Sequence, residues 1–126
     1  MRGYLLDAHV LLDWLADPAR MSDEARDIVS RGRNAIYVSA ATVWELAIKR
    51  ALGRLEFPSN LPEVLEAEHM EVLDVRIDHA LAVADLPLRH RDPFDRMLVA
   101  QARIERLAIV TRDAEIKGYE VDVIDA

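Results

Sequence analysis

The sequence alternates between short apolar segments and longer segments whose apolar residues recur at helical spacing. Short apolar runs rich in β-branched residues indicate strands, whereas apolar residues three and four positions apart indicate helices. Strands are predicted at 3–6, 35–38, 71–75, 107–111 and 121–124, and helices after Asp7 and at 22–31, 39–53, 62–68, 77–86 and 92–106. Such alternation specifies βα units joined by right-handed crossovers. We therefore predict an α/β fold, a three-layer α/β/α sandwich with a mostly parallel sheet of about five strands.

Length and composition favour one domain that spans residues 1–126. A chain of 126 residues with 52% hydrophobic content is large enough to bury a core. It has no cysteine, which excludes disulfides and a thiolate zinc cage. The N-terminal apolar run is interrupted by Asp7, His9 and Asp13, so we expect neither a signal peptide nor a membrane span. These features together predict a cytoplasmic protein.

Acidic residues recur where the predicted strands end. Asp7 follows the first strand, Asp113 follows the fourth, and Glu45 lies within two helical turns of the second. Asp95 opens the helix that leads into the fourth strand, so its placement depends on the topology. Sites in open parallel sheets lie beyond the carboxyl ends of the strands. The pattern therefore predicts that these acids meet at one edge of the sheet.

The stretch HRDPFDRMLVAQA, residues 90–102, places acidic residues on the first turn of an otherwise apolar helix. Asp92 is a favoured N-cap residue, and Pro93 suits the first helical position because its missing N–H costs nothing there. Asp95 then lies in the first turn, near the positive end of the helix dipole. We predict a helix from Asp92 to about Arg106 with Asp95 available to a metal ion or a phosphate.

Each of these acids also has a purely local explanation. Asp7, Asp92 and Asp113 occupy positions where a carboxylate caps a following helix or turn. Glu45 can form an ordinary surface ion pair with Lys49 one turn later. Both explanations are open for each residue taken alone. A shared site is favoured because several independent caps are less likely to fall on one edge by chance.

A cluster of carboxylates requires cations. Neighbouring carboxylates repel and raise one another's pKa unless hard cations such as Mg²⁺ or Mn²⁺ neutralise them. A site of this kind suits metal-assisted phosphodiester hydrolysis, because a bound ion lowers the pKa of an attacking water. The residues predicted to form it are Asp7, Glu45, Asp95 and Asp113.

Net charge and histidine content narrow the range of binding surfaces and catalytic residues that the chain can have. A net charge of −7 argues against binding nucleic acid through a broad basic surface. A small basic rim, or an ordinary solvated loop, is possible at Arg89, His90, Arg91 and Arg96. We expect no catalytic histidine, because no ligand spacing is shared by His69, His79 and His90.

Four segments together resemble the PIN-domain nucleases, specifically the VapC-type toxins of bacterial toxin–antitoxin pairs. The segments are LLDAHVLLDWL, SAATVWELAIKR, HRDPFDRMLVAQA and IVTRD. By position, Asp7, Glu45, Asp95 and Asp113 match the acidic metal-binding quartet of that family. Thr111 matches a hydroxyl residue that precedes the last acid, and Asp92 matches a frequent but less essential acid. The chain departs from the pattern at Ala8, where many members have Thr or Ser.

The resemblance implies a function and partners. It implies a Mg²⁺-dependent endoribonuclease that blocks growth by cutting RNA, commonly a transfer or ribosomal RNA. It also implies a homodimer and a cognate antitoxin that inhibits by binding. Independently, the large apolar side chains of Trp14, Leu15 and Trp44 suggest a dimer interface. We expect the antitoxin to place the apolar face of a helix in a groove near the helices that carry Trp14 and Trp44, with one Arg or Lys reaching the acids.

Two other functions compete with this interpretation. A phosphohydrolase of the haloacid dehalogenase type also has an Asp after its first strand, but it expects a second Asp where this chain has His9. The stronger alternative is a catalytically inactive PIN scaffold that serves as a protein-interaction module, its acids acting only as caps. Thermal stabilisation by Mn²⁺ distinguishes the inactive scaffold from the nuclease, because only a real metal site gains stability from the ion.

Overall fold

A parallel sheet forms the centre of the structure. The computed structural model describes residues 3–89 and 91–126. Its strands are β1 (Gly3–Leu6), β2 (Ala35–Ser39), β3 (Met70–Leu73), β4 (Ala108–Thr111) and β5 (Val123–Asp125). Their order is β3-β2-β1-β4-β5, and each neighbouring pair is parallel. All the carboxyl ends therefore face one edge of the sheet.

Helices connect successive strands, and several of them begin at a side chain that caps the first turn. In the described ranges the α-helices are α1 (Ala8–Ala16), α2 (Asp23–Ser30), α3 (Ala40–Ala51), α4 (Leu61–Ala67), α5 (Ile77–Ala84), α6 (Pro93–Glu105) and α7 (Ala114–Lys117). The Ser22 and Ser39 hydroxyls accept hydrogen bonds from the first turns of α2 and α3. Among residues 3–89 and 91–126, no helix has the length and apolarity needed to cross a membrane.

The strands bury both of their faces. Successive side chains of a strand point to opposite faces, so Leu5 and Leu6 belong to different core clusters, as do Ile109 and Val110. Leu6 and Val110 pack with α1, α2, α3 and α4, whereas Leu5 and Ile109 pack with α5, α6 and α7. Helices thus cover both faces, and the predicted three-layer α/β/α architecture with a parallel sheet is confirmed.

The ends of the outer strands differ from the prediction because they depend on strand pairing. β3 ends at Leu73, short of the predicted end, since its partner Ser39 is the last residue of β2 and caps α3. β5 begins at Val123, later than predicted, where it pairs with Ile109. The one-turn helix α7 was not predicted from the sequence. Its fully buried residue Ile116 holds it against the core.

A buried histidine joins α5 to α6. The His79 side chain is fully buried, and its Nδ1 accepts a hydrogen bond from the Arg76 backbone N–H at 3.0 Å. Its Nε2 therefore carries the proton and donates to Glu105 at 2.9 Å. The hydrogen bond from His79, assisted by Arg76, lowers the pKa of Glu105. This histidine links two helices and does not line the acidic cleft described below.

Candidate active site

One small cleft at the carboxyl edge of the sheet is lined by the four acidic residues that the sequence singled out. Asp7 follows β1, Asp113 follows β4, and Asp95 lies in the first turn of α6. Glu45 reaches the same cleft from the second turn of α3. The cleft has a volume of about 70 Å³ and is lined by Asp7, Ala8, His9, Glu45, Lys49, Asp92, Asp95 and Asp113.

Asp7 is the most deeply placed of these carboxylates. It caps α1 by accepting a hydrogen bond from the Val10 N–H at 2.9 Å, and it is only 4% exposed. Its other oxygen accepts a hydrogen bond from the Thr111 hydroxyl. Burial raises the pKa of Asp7, although the bonds from Thr111 and Val10 and the charges of His9 and Arg112 oppose that rise. The fold therefore holds a carboxylate where ionisation is costly.

Thr111 connects the two central strand ends. Its side chain is fully buried at the end of β4, where its hydroxyl donates to Asp7 and accepts from the Asp113 N–H at 3.0 Å. Asp113 in turn caps α7, accepting from the Glu115 N–H at 2.9 Å. One hydroxyl thus sets the relative positions of Asp7 and the segment that carries Asp113.

The start of α6 places Asp92 and Asp95 at the cleft. As predicted, Asp92 caps the helix: its Oδ1 accepts from the Phe94 N–H at 2.9 Å and from the Asp95 N–H at 3.3 Å. Pro93 occupies the first helical position. Asp95 is half-buried in the first turn. The cap therefore determines where the backbone of Asp95 begins and hence which way its carboxylate faces.

Glu45 is paired with Lys49. The Lys49 Nζ donates to a Glu45 carboxylate oxygen at 2.9 Å, one helical turn apart on α3. The local ion pair considered from the sequence is thus present, yet it lies in the cleft and not on an open surface. The Glu45 side chain is 9% exposed and the Lys49 side chain 33%.

The donor set fits a hard divalent cation in its chemistry, because carboxylate oxygens are the ligands that Mg²⁺ and Mn²⁺ prefer. Among residues 3–89 and 91–126, however, no three acidic or histidine side chains are arranged so that they could hold one ion. Their contacts give the reason, since Glu45 is turned to Lys49 while Asp7 and Asp113 cap helices. Binding a cation requires such local bonds to be exchanged.

Comparison with known proteins decides the family. The PIN domain family model matches residues 4–121 of this chain. The chain belongs to the PIN domain family. This PIN domain is 28% identical over 122 residues to Ribonuclease VapC22 from Mycobacterium tuberculosis (strain ATCC 25618 / H37Rv), covering 94% of this chain and 93% of that protein. The resemblance noted from the sequence motifs is confirmed.

Solved structures share the same architecture. VapBC2 from Rickettsia felis, bound to a DNA fragment from its promoter, superposes with a TM-score of 0.73 at 15% identity and covers 98% of each chain. A toxin–antitoxin complex from Klebsiella pneumoniae superposes with a TM-score of 0.61 at 19% identity, covering 97% of this chain and 96% of that one. At these identities the likeness establishes a shared PIN fold.

The cleft of this PIN domain is also lined by two residues that were not predicted to belong to it, His9 and Lys49. His9 is exposed on the first turn of α1, two positions after Asp7. Lys49 was considered only as a surface partner of Glu45. Lys49 could have been found from the sequence, because residues four positions apart share a side of a helix. His9 could not, because a residue two positions after Asp7 has no such helical spacing.

The predicted basic rim is wrong for Arg96. Its guanidinium group is buried and donates to the backbone carbonyls of Val83 at 2.9 Å and Pro87 at 2.8 Å. It therefore satisfies carbonyls at and beyond the end of α5 and is not exposed to a ligand. The other members of that rim are the exposed Arg89 and Arg91, together with His90, which lies outside the described residues.

The two tryptophans line different grooves, and only the groove at Trp44 adjoins the acidic cleft. Trp44 is 63% exposed and packs edge-on against Phe94, with ring centroids 5.2 Å apart, in an apolar groove between α3, α5 and α6. Trp14 is half-buried, lines a different groove, and donates its indole N–H to Glu68 at 2.7 Å. Leu15 packs against the first core cluster. Of these three residues only Trp44 remains mostly exposed.

Proposed function

We propose that this PIN domain is a Mg²⁺-dependent endoribonuclease and the toxin of a toxin–antitoxin pair, acting in the cytoplasm. The observation that carries the proposal is the cleft in which Asp7, Glu45, Asp95 and Asp113 meet. Similarity to Ribonuclease VapC22 over most of the chain supports RNA as the substrate. Neither the family nor the cleft specifies a base sequence, so the substrate class proposed is RNA phosphodiesters.

Each residue of the cleft has a role in this proposal. Asp7, Glu45, Asp95 and Asp113 would hold Mg²⁺ or Mn²⁺, while Thr111 keeps Asp7 in place through its hydroxyl and Asp92 positions the first turn of α6. A bound divalent ion supplies neutralising charge and lowers the pKa of a water ligand. The helix starts hold the backbones of Asp7, Asp95 and Asp113 in place, while Glu45 would exchange its bond with Lys49 for the ion.

A specific observation favours one alternative, a catalytically inactive interaction module. Asp7, Asp92 and Asp113 all accept backbone N–H bonds as helix caps, and Glu45 has Lys49 as its partner. Every one of these bonds is also what a purely structural role requires. A module of this kind gains no stability from Mn²⁺, whereas a metal site gains RT ln(1 + [L]/Kd).

The test combines metal binding with RNA cleavage. Wild-type protein should gain thermal stability on addition of Mn²⁺ and should cleave total RNA only when Mg²⁺ or Mn²⁺ is present. Asp95→Asn removes a charge with little change in volume, so it should abolish both effects while the protein stays folded. Asp23→Asn is the matched control, because Asp23 is an exposed acid on α2 outside the cleft. A fully active Asp95→Asn variant would refute the site.

We propose partners on the same basis. Complexes named VapBC2 and toxin–antitoxin complex share this fold, which supports a cognate antitoxin for this chain. The apolar groove beside Trp44 adjoins the acidic cleft, because Trp44 neighbours Glu45 and Phe94 neighbours Asp95. An antitoxin helix in this groove could extend an Arg to the acids, and Arg is suited to carboxylates by its two parallel hydrogen bonds. We also propose a homodimer.

A further inference from the structure

Lys49 is an unusual residue to find in an acidic cleft. Among the described residues that line it, five are carboxylic acids and Lys49 has the one permanently charged cationic side chain. Its ammonium group bonds Glu45 at 2.9 Å, and the Lys49 side chain lines the cleft and is 33% exposed.

The Glu45–Lys49 bond is one that the protein can exchange when another cation takes the place of the ammonium. Because the Glu45 side chain is only 9% exposed, its charge needs a cation beside it, and a divalent ion supplies one. A lysine ammonium is a point charge on a flexible four-carbon stem, which allows it to reach a new partner without moving the helix. Taking Glu45 as a metal ligand therefore leaves Lys49 in place, unpaired and close to the site.

An RNA phosphate approaching this cleft meets repulsion from the remaining acids. The whole chain has a net charge of −7, Arg96 is buried against backbone carbonyls, and the exposed Arg89 and Arg91 do not line the cleft. Binding a phosphodiester requires positive charge close to its non-bridging oxygens. Lys49 is the described cleft residue best placed to supply it.

We propose that Lys49 is an exchangeable counter-ion that neutralises Glu45 in the metal-free protein and binds a phosphate oxygen of RNA once Glu45 is engaged with a divalent cation. The inference rests on the proposed function and adds a substrate-binding residue to it. Lys49 then opposes metal binding and assists RNA binding, and the two effects are separable by experiment.

The first arm measures metal affinity without any reaction. Lys49→Met removes the competing ammonium, so Mn²⁺ titrated calorimetrically should bind about fivefold more tightly than to wild type. Lys117→Met is the matched control, because Lys117 pairs with Asp125 and does not line the cleft, and both variants lose one positive charge. If Mn²⁺ binds Lys49→Met no more tightly than it binds wild type, Lys49 is not a counter-ion and the inference fails.

The second arm measures RNA. At saturating Mn²⁺, Lys49→Met should raise the KM for a fluorescently labelled random RNA pool roughly tenfold, since a charge-assisted hydrogen bond to phosphate is lost. Lys49→Arg should restore most of the RNA affinity because it keeps the charge. Lys117→Met should match wild type. An unchanged KM in Lys49→Met overturns the phosphate-binding role.

The design separates this inference from the proposed function. If wild-type protein neither binds Mn²⁺ nor cleaves RNA, the proposed function is wrong. If wild type does both and Lys49→Met behaves identically, only the role of Lys49 is wrong. Should Lys49→Met be poorly folded in EDTA by circular dichroism, Lys49→Gln provides the same charge removal with a polar side chain that stays solvated.

Discussion

At the residue level, Asp7 combines a cost in stability with a place in the acidic cleft. Its carboxylate is 4% exposed, and burial raises its pKa despite hydrogen bonds from Thr111 and Val10. A raised pKa means that folding favours the protonated acid. The stabilising contribution of Asp7 is therefore present below the pKa that it has in the unfolded chain and is lost as pH rises through its folded pKa. At neutral pH its ionised form opposes folding.

We therefore expect Asp7→Asn to be more stable than wild type in EDTA at pH 7. Asparagine keeps an oxygen for the Val10 N–H and removes the buried charge. The difference in Tm should shrink as pH falls through the raised pKa of folded Asp7, and it should vanish below the ordinary pKa of an unfolded Asp, about 3.9. Thermal denaturation across this pH range measures it, with Asp23→Asn as the exposed control. A Tm increase in Asp7→Asn that grows at acid pH would contradict the assignment of the effect to the buried charge of Asp7. A lower Tm than wild type at pH 7 would contradict it as well.

The site acids could be predicted from sequence to different extents. Asp7, Asp92 and Asp113 were predicted as caps from local pattern, and the structure has all three bonds. The burial of Arg96 could not be inferred, because the carbonyls that hold it belong to Val83 and to the loop after α5, distant in sequence. Local spacing indicates which side of a helix a residue is on, but not what packs there.

At the level of the secondary-structure element, the residue at which a strand ends depends on the neighbouring strand with which it pairs. The helices and strands of the interior were predicted because apolar periodicity is a property of each segment. β3 stops at Leu73 because β2 stops at Ser39, and pairing between strands about thirty residues apart leaves no local signal. The helix α7 was missed for a related reason: at four residues it is too short for a helical repeat to appear.

The cap of α6 gives a prediction at this scale. Asp92→Asn should change the free energy of unfolding by no more than a few tenths of a kcal/mol, because Asn accepts the same N–H bonds. Asp92→Ala should cost about 1 kcal/mol, since two N–H groups lose their acceptor. Urea denaturation measures both. Equal stability of the two variants would show that capping is not what Asp92 contributes.

RNA cleavage adds a second measurement to the same pair. Because the cap sets the start of the turn that carries Asp95, Asp92→Ala should also reduce cleavage, whereas Asp92→Asn should stay close to wild type. If Asp92→Asn abolished cleavage while keeping its stability, the carboxylate of Asp92 would belong among the metal ligands and not only to the cap.

At the scale of the whole molecule, exposed apolar residues remain on α3 and α5. On α5, Ile77 is 80% exposed and Leu81 68%, while Trp44 on α3, 63% exposed, belongs to the groove proposed for the antitoxin. Apolar and aromatic residues are enriched at the cores of dimer interfaces. Trp14 and Leu15 pack internally, so they do not support a homodimer interface. The outer surface of α5 is the better candidate for that interface.

We expect light scattering at high protein concentration to give twice the mass of one chain. Leu81→Glu places a charge at that surface without an internal contact to break, so it should yield a folded monomer by the same measurement, with an unchanged circular dichroism spectrum. Glu63→Gln on α4 is a control at an exposed position. A wild-type monomer, or a Leu81→Glu variant that stays dimeric, would argue against this interface.

A cation from the antitoxin and a divalent metal ion require the same carboxylates, so the two should compete for the cleft. If an antitoxin Arg enters the cleft while its helix packs beside Trp44, metal and antitoxin bind competitively, and each must lower the apparent affinity of the other. The inhibition constant of the cognate antitoxin should therefore rise when Mg²⁺ is increased from subsaturating to saturating levels in RNA cleavage assays. Ionic strength must be matched, since charged interfaces weaken in salt regardless of competition. Trp44→Ala should weaken inhibition at both Mg²⁺ levels, because it removes the apolar contact and leaves the acids intact. An inhibition constant that is equal at both levels would reject the insertion of a cation into the cleft, even if the antitoxin binds.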